Sequence, residues 1–210
     1  MEAVEKGMKL KRDKGFTLVE LIIVIAIMAI LSGAVGLAVI RYIQKAREGN
    51  VREEARVIHD AGQHAYVNMV ASDADLNLVK TFTKSNGSTV PCGVVTNYHL
   101  ASVQRGDTIN PNAADYCDYL IAKDILESLN SSNDSDYKFL NFHGAVYNPI
   151  GMGCASFSNT YGCPGVIVVY DSEGNIIMLE YYKEKVLIHY EDGEFNVSDS
   201  TTFTGTDRIQ

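Results

Sequence analysis

The stretch from Lys14 to Ile40 reads KGFTLVELIIVIAIMAILSGAVGLAVI, and the interpretation of the whole chain starts from it. From Phe16 onward its only ionisable side chain is that of Glu20, and the 20 residues from Leu21 to Ile40 carry no charge. At a rise of about 1.5 Å per residue, a helix of that length spans the roughly 30 Å hydrocarbon core of a bilayer. The stretch therefore predicts a membrane-spanning helix near the start of the chain.

A basic block precedes the apolar run. Residues 1–15 contain five Lys or Arg side chains and three acidic ones. Because such flanks stay on the cytoplasmic side, we expect the rest of the chain to lie outside the cytoplasm. An ordinary secretory signal has a core of about 7–15 apolar residues and a small-residue cleavage site after it. Residues 41–45 (RYIQK) offer no such site. A plain membrane anchor remains an alternative.

Glu20 is a carboxylate inside an apolar run. A charged side chain at the centre of a membrane costs about 2.5–3.5 kcal/mol on insertion scales. Thr17 and Glu20 fit the T-x-x-E pattern of a capping box, which would close the first helical turn. A capping box accounts for Glu20, but it does not account for the basic residues and the glycine that come before Phe16.

The sequence KGFTLVE, from Lys14 to Glu20, resembles the class III signal of type IV prepilins, and the similarity extends to about Arg47. The resemblance implies that a membrane prepilin peptidase cuts between Gly15 and Phe16 and that the new amine of Phe16 is methylated. Cleavage would leave a leader of 15 residues and a mature chain of 210 − 15 = 195 residues. The resemblance also implies that Glu20 is an assembly residue, whose carboxylate neutralises the amine of a neighbouring subunit.

The helical pattern continues beyond the apolar run. No proline interrupts Phe16–Ser72, so we predict a single helix over these residues. Its second half carries a stripe of small and apolar residues spaced three or four apart, namely Val51, Ala55, Ile58, Gly62, Ala65 and Met69. The other faces are predicted to be solvated and carry Arg52, Glu53, Arg56, Asp60 and Gln63.

Beyond Ser72 the composition predicts a globular head. Residues 84–88 and 130–135 have the composition of loops, and no regular element is predicted between residues 73 and 112. Residues 113–129 have helical spacing. Runs rich in β-forming residues follow at 165–171, 175–182, 185–190 and 194–197, separated by hairpin signals, with a further candidate strand at 138–148.

These elements predict an α+β fold. An antiparallel sheet with one apolar face needs a cover, and the stripe on the long helix supplies it. The prediction is a long N-terminal helix packed on a C-terminal antiparallel sheet, as in type IV pilins. Three parts are expected: a leader at residues 1–15, a transmembrane and filament-core helix at 16–44, and an extracellular head at 45–210.

Four cysteines lie in the part that is predicted to be exported, namely Cys92, Cys117, Cys154 and Cys163. An even number outside the cytoplasm predicts two disulfides, with three possible connectivities. Pairing Cys154 with Cys163 would close a short loop and leave Cys92 to pair with Cys117. The alternative is a zinc site that combines some of these thiolates with His99 or His143, although none of the cysteines has the usual C-x₂₋₄-C spacing.

Composition and motifs disfavour several classes of function. The net charge of −8 argues against a bulk electrostatic attraction to nucleic acid, and no nucleic-acid partner is specifically indicated. The sequence contains no G-x-S-x-G, P-loop, G-x-G-x-x-G or H-E-x-x-H motif. We therefore predict no catalytic residue, no metal site and no cofactor, and the chain is not expected to be an enzyme.

The resemblance implies a structural subunit that polymerises through its N-terminal helix into a type IV pilus for adhesion, motility or aggregation. Its partners would be copies of itself, the prepilin peptidase and the pilus assembly machinery in the inner membrane. The precursor would cross the cytoplasmic membrane once, and the assembled filament would be extracellular. A type II secretion pseudopilin and a minor pilin are alternatives. An alternative of another class is a membrane-tethered extracellular binding module, with or without zinc.

Overall fold

The computed structural model describes residues 15–72, 76, 78–131, 165–198 and 205–210. The chain divides into two compact units, residues 1–45 and residues 46–210. The long helix α1 begins at Leu18 in the first unit and ends at Ala71 in the second. This confirms the single helix predicted over Phe16–Ser72, apart from one or two residues at each end.

The second unit contains a six-stranded antiparallel sheet in which each strand pairs with the next strand along the chain. The strands are β1 (Lys80–Thr83), β2 (Thr89–Thr96), β3 (Gly165–Asp171), β4 (Ile176–Lys183), β5 (Val186–Glu191) and β6 (Glu194–Ser198). Two helices, α2 (Asn97–Arg105) and α3 (Tyr116–Ser131), lie between β2 and β3 in sequence. The predicted α+β class, with a long N-terminal helix followed by an antiparallel sheet, is confirmed.

The four strands after residue 164 lie within one residue of their predicted positions. Two-residue turns connect β4 to β5 and β5 to β6. Glu184 and Lys185 have φ angles of 50° and 68°, and Asp192 and Gly193 have φ angles of 52° and 88°. Two consecutive positive φ angles are the signature of a type I′ turn, whose twist matches that of the flanking strands. Register in this half of the sheet is therefore fixed by local turns.

Three described elements, β1, β2 and α2, were not predicted. Residues 84–88, predicted as a loop, form the turn of the hairpin that joins β1 to β2. β1 has four residues, and β2 contains Pro91 and Gly93, which weaken the strand signal. The helix α2 has nine residues and was also missed. The candidate strand at 138–148 lies outside the described residues.

The predicted stripe of α1 packs on the sheet. All six of its residues are buried: Val51, Ala55, Ile58, Gly62, Ala65 and Met69. Two polar residues differ from the prediction, because Arg52 and Gln63 are partly buried. The amide of Gln63 donates to the carbonyl of Gly174, and its side-chain oxygen accepts from the N–H of Ile176 at 3.3 Å. The hydroxyl of Tyr66 donates to the carbonyl of Ser172 at 2.7 Å. These bonds tie α1 to the turn between β3 and β4.

Both faces of the sheet bury apolar side chains. On one face the sheet packs against α1, α2 and α3, through residues such as Leu100, Ile125 and Val168. A second cluster includes Phe82, Cys92, Ile167, Val169 and Met178, all with no exposed surface. The expectation of a single apolar face covered by α1 was therefore incomplete.

We expect Gly93→Ala to lower the free energy of unfolding. A Cβ atom at Gly93 would lie 2.0 Å from the Cζ atom of Tyr170, which is buried and cannot move aside without losing its own contacts. Overpacking of this kind costs about 1–3 kcal/mol. Thermal unfolding of the full chain in detergent, followed by circular dichroism, measures the effect.

Gly49→Ala is the matched control. Gly49 lies in α1, and a Cβ atom there would meet nothing within 4 Å. Alanine should therefore stabilise the helix by up to about 1 kcal/mol. Equal unfolding temperatures for the two variants would contradict the close contact between Gly93 and Tyr170.

Candidate processing and assembly site

The peptide bond between Gly15 and Phe16 lies ahead of α1. Residues 15–17 have no regular secondary structure, and the side chain of Phe16 is 88% exposed. A Cβ atom added to Gly15 would meet nothing within 4 Å. A bond inside a helix would have to be unwound before cleavage, because its N–H and C=O groups are held by the helix. The Gly15–Phe16 bond, which was predicted to be cleaved, lies outside a helix and needs no such unwinding.

Thr17 and Glu20 form a reciprocal capping box. The backbone N–H and the hydroxyl of Thr17 both donate to Glu20 Oε2 at 2.8 Å, and the N–H of Glu20 lies 3.3 Å from Thr17 Oγ1. The N–H of Leu21 donates to the carbonyl of Thr17 at 3.3 Å and completes the first turn. The capping interpretation of this pair is therefore confirmed. The contacts satisfy backbone donors that the start of a helix otherwise leaves unpaired.

The capping box uses only part of the hydrogen-bond acceptor capacity of the Glu20 carboxylate. Both donors of Thr17 bond to Oε2 of Glu20, and neither of these two bonds uses Oε1. An ionised carboxylate offers about four acceptor positions. Glu20 can therefore cap the helix and accept a further donor, such as an ammonium group, at the same time.

The first half of α1 exposes the apolar side chains that the structure describes there on every side. The large apolar residues described between Leu18 and Ile43 have exposures between 42% for Val24 and 75% for Tyr42. α1 contains a window that is long and apolar enough to cross a membrane, and none of that window is buried. Soluble monomers rarely expose contiguous apolar patches larger than a few hundred Å². This half of the helix therefore needs lipid or other helices around it.

Asp118 is the centre of a buried polar cluster that the sequence did not reveal. It is 4% exposed, and its Oδ1 accepts from the N–H of Val94 at 2.9 Å and from the hydroxyl of Tyr170 at 2.7 Å. Its Oδ2 accepts from Lys80 Nζ at 2.9 Å. Burial, with the nearby carboxylate, raises the pKa of Tyr170. All three donors bond to Asp118, which lies in α3. The cluster therefore joins α3 to β1, β2 and β3.

The cysteines differ from the prediction where the structure describes them. Cys92 is fully buried in β2 and Cys117 is partly exposed in α3, and no disulfide joins the two. Cys154 and Cys163 lie outside the described residues, so their pairing with each other stays a prediction.

The zinc alternative finds no support in the described part of the chain. There, no three His, Cys, Asp or Glu side chains are grouped so as to hold a metal ion. His99 Nδ1 accepts from the N–H of Thr96 at 3.1 Å, and Nε2 lies 3.6 Å from Asp115 Oδ2. His99 lowers the pKa of Asp115, chiefly through this side-chain contact. The imidazole therefore caps α2, while His143 lies outside the described residues.

Comparison with known families supports the resemblance at the start of the chain. Residues 10–36 match the family model of the prokaryotic N-terminal methylation motif, which supports a type IV pilin-like class III signal peptide. The match supports a pilin-like or pseudopilin protein and implies processing by a prepilin peptidase. Together with the apolar helix, it indicates a membrane-anchored precursor. No curated protein and no solved structure matches the chain.

We expect Thr17→Val to destabilise the start of α1. Valine has nearly the same shape, but it removes the hydroxyl that pairs with Glu20, and loss of such a cap costs about 0.5–2 kcal/mol. Hydrogen exchange at residues 18–21, measured in detergent, should become faster. Thr17→Ser keeps the hydroxyl and should exchange at the parent rate; faster exchange in the serine variant would contradict the capping role.

We expect the thiol of Cys92 to react with iodoacetamide only after unfolding. Burial raises the pKa of this thiol to about 11, so it is neither accessible nor ionised at neutral pH. Mass spectrometry of the unreduced protein, alkylated before and after addition of denaturant, measures the change. Failure of Cys92 to react in the unfolded, unreduced protein would indicate a disulfide and contradict the thiol form.

Proposed function

We propose that the chain is a type IV pilin, a structural subunit that is cleaved after Gly15, methylated on Phe16 and polymerised into a surface filament. The observation that carries this proposal is the exposed apolar half of α1, which begins with Glu20 in its first turn and follows an accessible Gly15–Phe16 bond. Such a filament would serve adhesion, motility or aggregation. The role is structural, and the chain is not an enzyme.

The proposal assigns a task to each part of the chain. Residues 1–15 are the leader, residues 16–44 cross the membrane and then form the core of the filament, and residues 45–210 are the extracellular head. The precursor crosses the cytoplasmic membrane once. Its partners are other copies of the chain, the prepilin peptidase and the assembly machinery in the inner membrane.

Glu20 directs assembly in this proposal. Cleavage creates a positively charged amine on Phe16, and a charge without a partner is costly in hydrocarbon. The carboxylate of Glu20 in a neighbouring copy can pair with that amine, while its capping bonds to Thr17 are kept. The pair favours one axial offset between adjacent helices, because both charges are neutralised only in that register.

The charge of the mature chain bears on its other partners. After removal of the leader, 18 − 5 = 13 basic and 26 − 3 = 23 acidic side chains remain, which gives a net charge of −10. A filament of such subunits would repel polyanions over most of its surface. We therefore propose no nucleic-acid partner.

A type II secretion pseudopilin is the rival within the same family, since the matched motif supports it equally. A minor pilin at the filament tip is a further rival. A tethered monomeric binding module is the rival of another class. Cleavage after Gly15 and a requirement for Glu20 in assembly would separate a pseudopilin and a minor pilin from a tethered module. The amount of the chain found in surface filaments would separate a major pilin from all three rivals.

We expect Glu20→Gln to abolish filament assembly while leaving cleavage and the capping box intact. Glutamine is also found in capping boxes, so the substitution removes the charge and keeps the hydrogen-bonding shape. The measurement is the quantity and intact mass of the chain in filaments sheared from the cells. The parent chain should begin at Phe16 and carry one added methyl group.

Glu53→Gln is the matched control, because Glu53 is exposed on α1 and loses the same charge. It should assemble at the parent level. Normal assembly of Glu20→Gln, or a parent chain that retains residues before Phe16, would overturn the proposal and favour the tethered module.

A further inference from the structure

Residues 208–210 pair with the outer edge of β1. The N–H of Thr81 donates to the carbonyl of Gln210 at 2.8 Å, and the N–H of Gln210 donates to the carbonyl of Thr81 at 2.9 Å. Phe82 and Ile209 form an antiparallel bridge beside this pair. Because β1 is at the end of the strand order, the pairing uses the edge of β1 that faces away from β2. The segment therefore extends the sheet beyond its first strand.

The side chain of Arg208 makes contacts that only an arginine can make. Its guanidinium donates to both oxygens of Glu191, at 2.6 and 2.8 Å, in a bidentate pair. Its Nε donates to the carbonyl of Thr83 at 2.7 Å, and the guanidinium lies 4.6 Å from the centre of the Phe82 ring. Lysine has no planar fork and cannot reproduce a bidentate pair with a carboxylate. The site therefore selects its residue by shape as well as by charge.

Glu191 is held in place by residues outside this segment. The backbone N–H and the hydroxyl of Ser85, in the β1–β2 turn, donate to its two oxygens at 3.0 and 2.7 Å. His189 Nε2 lies 3.3 Å from its Oε2. The bond from Arg208, helped by those from Ser85, lowers the pKa of Glu191 well below its ordinary value of 4.5. The carboxylate is thus ionised at neutral pH, and it keeps the donors of Ser85 when residues 208–210 are absent.

Ile209 adds an apolar contact next to the arginine. It is partly buried and packs against the cluster that contains Phe82 and Met178. When a peptide adds a strand to the edge of a sheet, the backbone bonds give affinity and the side-chain contacts give specificity. All of these parts are present here: the backbone of Thr81, an ionised carboxylate for the arginine, and an apolar surface for the residue that follows it.

We propose that the outer edge of β1 and the carboxylate of Glu191 form a binding site for an extended segment in which an arginine precedes a large apolar residue. Within one chain, residues 208–210 of that chain fill the site. A chain whose site is empty binds the same segment of a second copy, because identical copies carry identical segments and an open strand edge pairs with another chain. The inference needs two copies of the chain but no filament, so it stands apart from the proposed function.

A chain that is shortened to end at Asp207 tests the site in detergent, since it keeps all six strands and lacks only residues 208–210. We expect it to bind a fluorescent peptide of residues 205–210 (GTDRIQ), measured by fluorescence anisotropy. The parent chain should not bind it, because its site is filled. The same peptide with Arg208→Gln should bind at least about tenfold more weakly, because it loses the charged bonds. Equal binding of the two peptides would overturn the proposal.

Hydrogen exchange of full-length variants gives a measurement that does not need the shortened chain to fold. Arg208→Gln should lower protection of the Thr81 amide about tenfold, and a saturating amount of the peptide of residues 205–210 should restore it. Arg105→Gln is the matched control, because Arg105 loses the same charge and pairs with Asp107 instead. It should protect Thr81 as the parent chain does. Unchanged protection of Thr81 in Arg208→Gln would overturn the proposal.

Two complementary variants test whether a second copy supplies the segment. An isotope-labelled chain that ends at Asp207 has an empty site, and an unlabelled full-length Glu191→Gln chain keeps residues 208–210 but lacks the ionised partner of Arg208. Mixing them should raise protection of the labelled Thr81 amide, increasingly so at higher concentration of the unlabelled chain. An unlabelled chain that also carries Arg208→Gln should have no effect. No gain in protection from the first mixture would overturn the second copy as the partner.

Discussion

The described large apolar side chains of α1 between Leu18 and Ile43 are exposed, whereas the stripe from Val51 to Met69 is buried in the head. One continuous helix thus has to suit two different surroundings. In the first half, apolar residues cover the whole circumference, which is stable only in lipid or among other helices. In the second half, they narrow to a single stripe, and the other faces are polar. The position of this change along α1 decides which residues belong to the head.

Polar contacts fix how the second half of α1 lies on the sheet. Apolar burial is non-directional, so by itself it would allow the helix to slide. Glu54 accepts from the hydroxyl of Tyr181 at 2.6 Å and from Lys183 Nζ at 2.7 Å, near the end of β4. Gln63 and Tyr66 bind the opposite end of that strand, at the β3–β4 turn. Two polar anchors at the two ends of β4 leave one axial position for the helix.

The elements that could be predicted were those with strong local signals. The spacing along α1 and the turn before Val186 specify structure within a few residues of sequence. By contrast, the strand that contains Pro91 and Gly93 has a weak pattern and is held by its neighbours. Glu180 and His189 lie opposite each other in the predicted β4–β5 hairpin, but the complete burial of a glutamate in an apolar run has no signal in the sequence.

The order of the strands has a consequence for how the head is made. Each strand pairs with its sequence neighbour, so strand pairs can form one after another while the chain is still being made. The two hydrogen bonds between Thr81 and Gln210 join residues 210 − 81 = 129 positions apart, so they form only after residue 210 has been made. A chain cut before Arg208 would contain all six strands and still have an unpaired outer edge on β1. Pairing of the outer edge of β1 therefore comes after all six strands have been made.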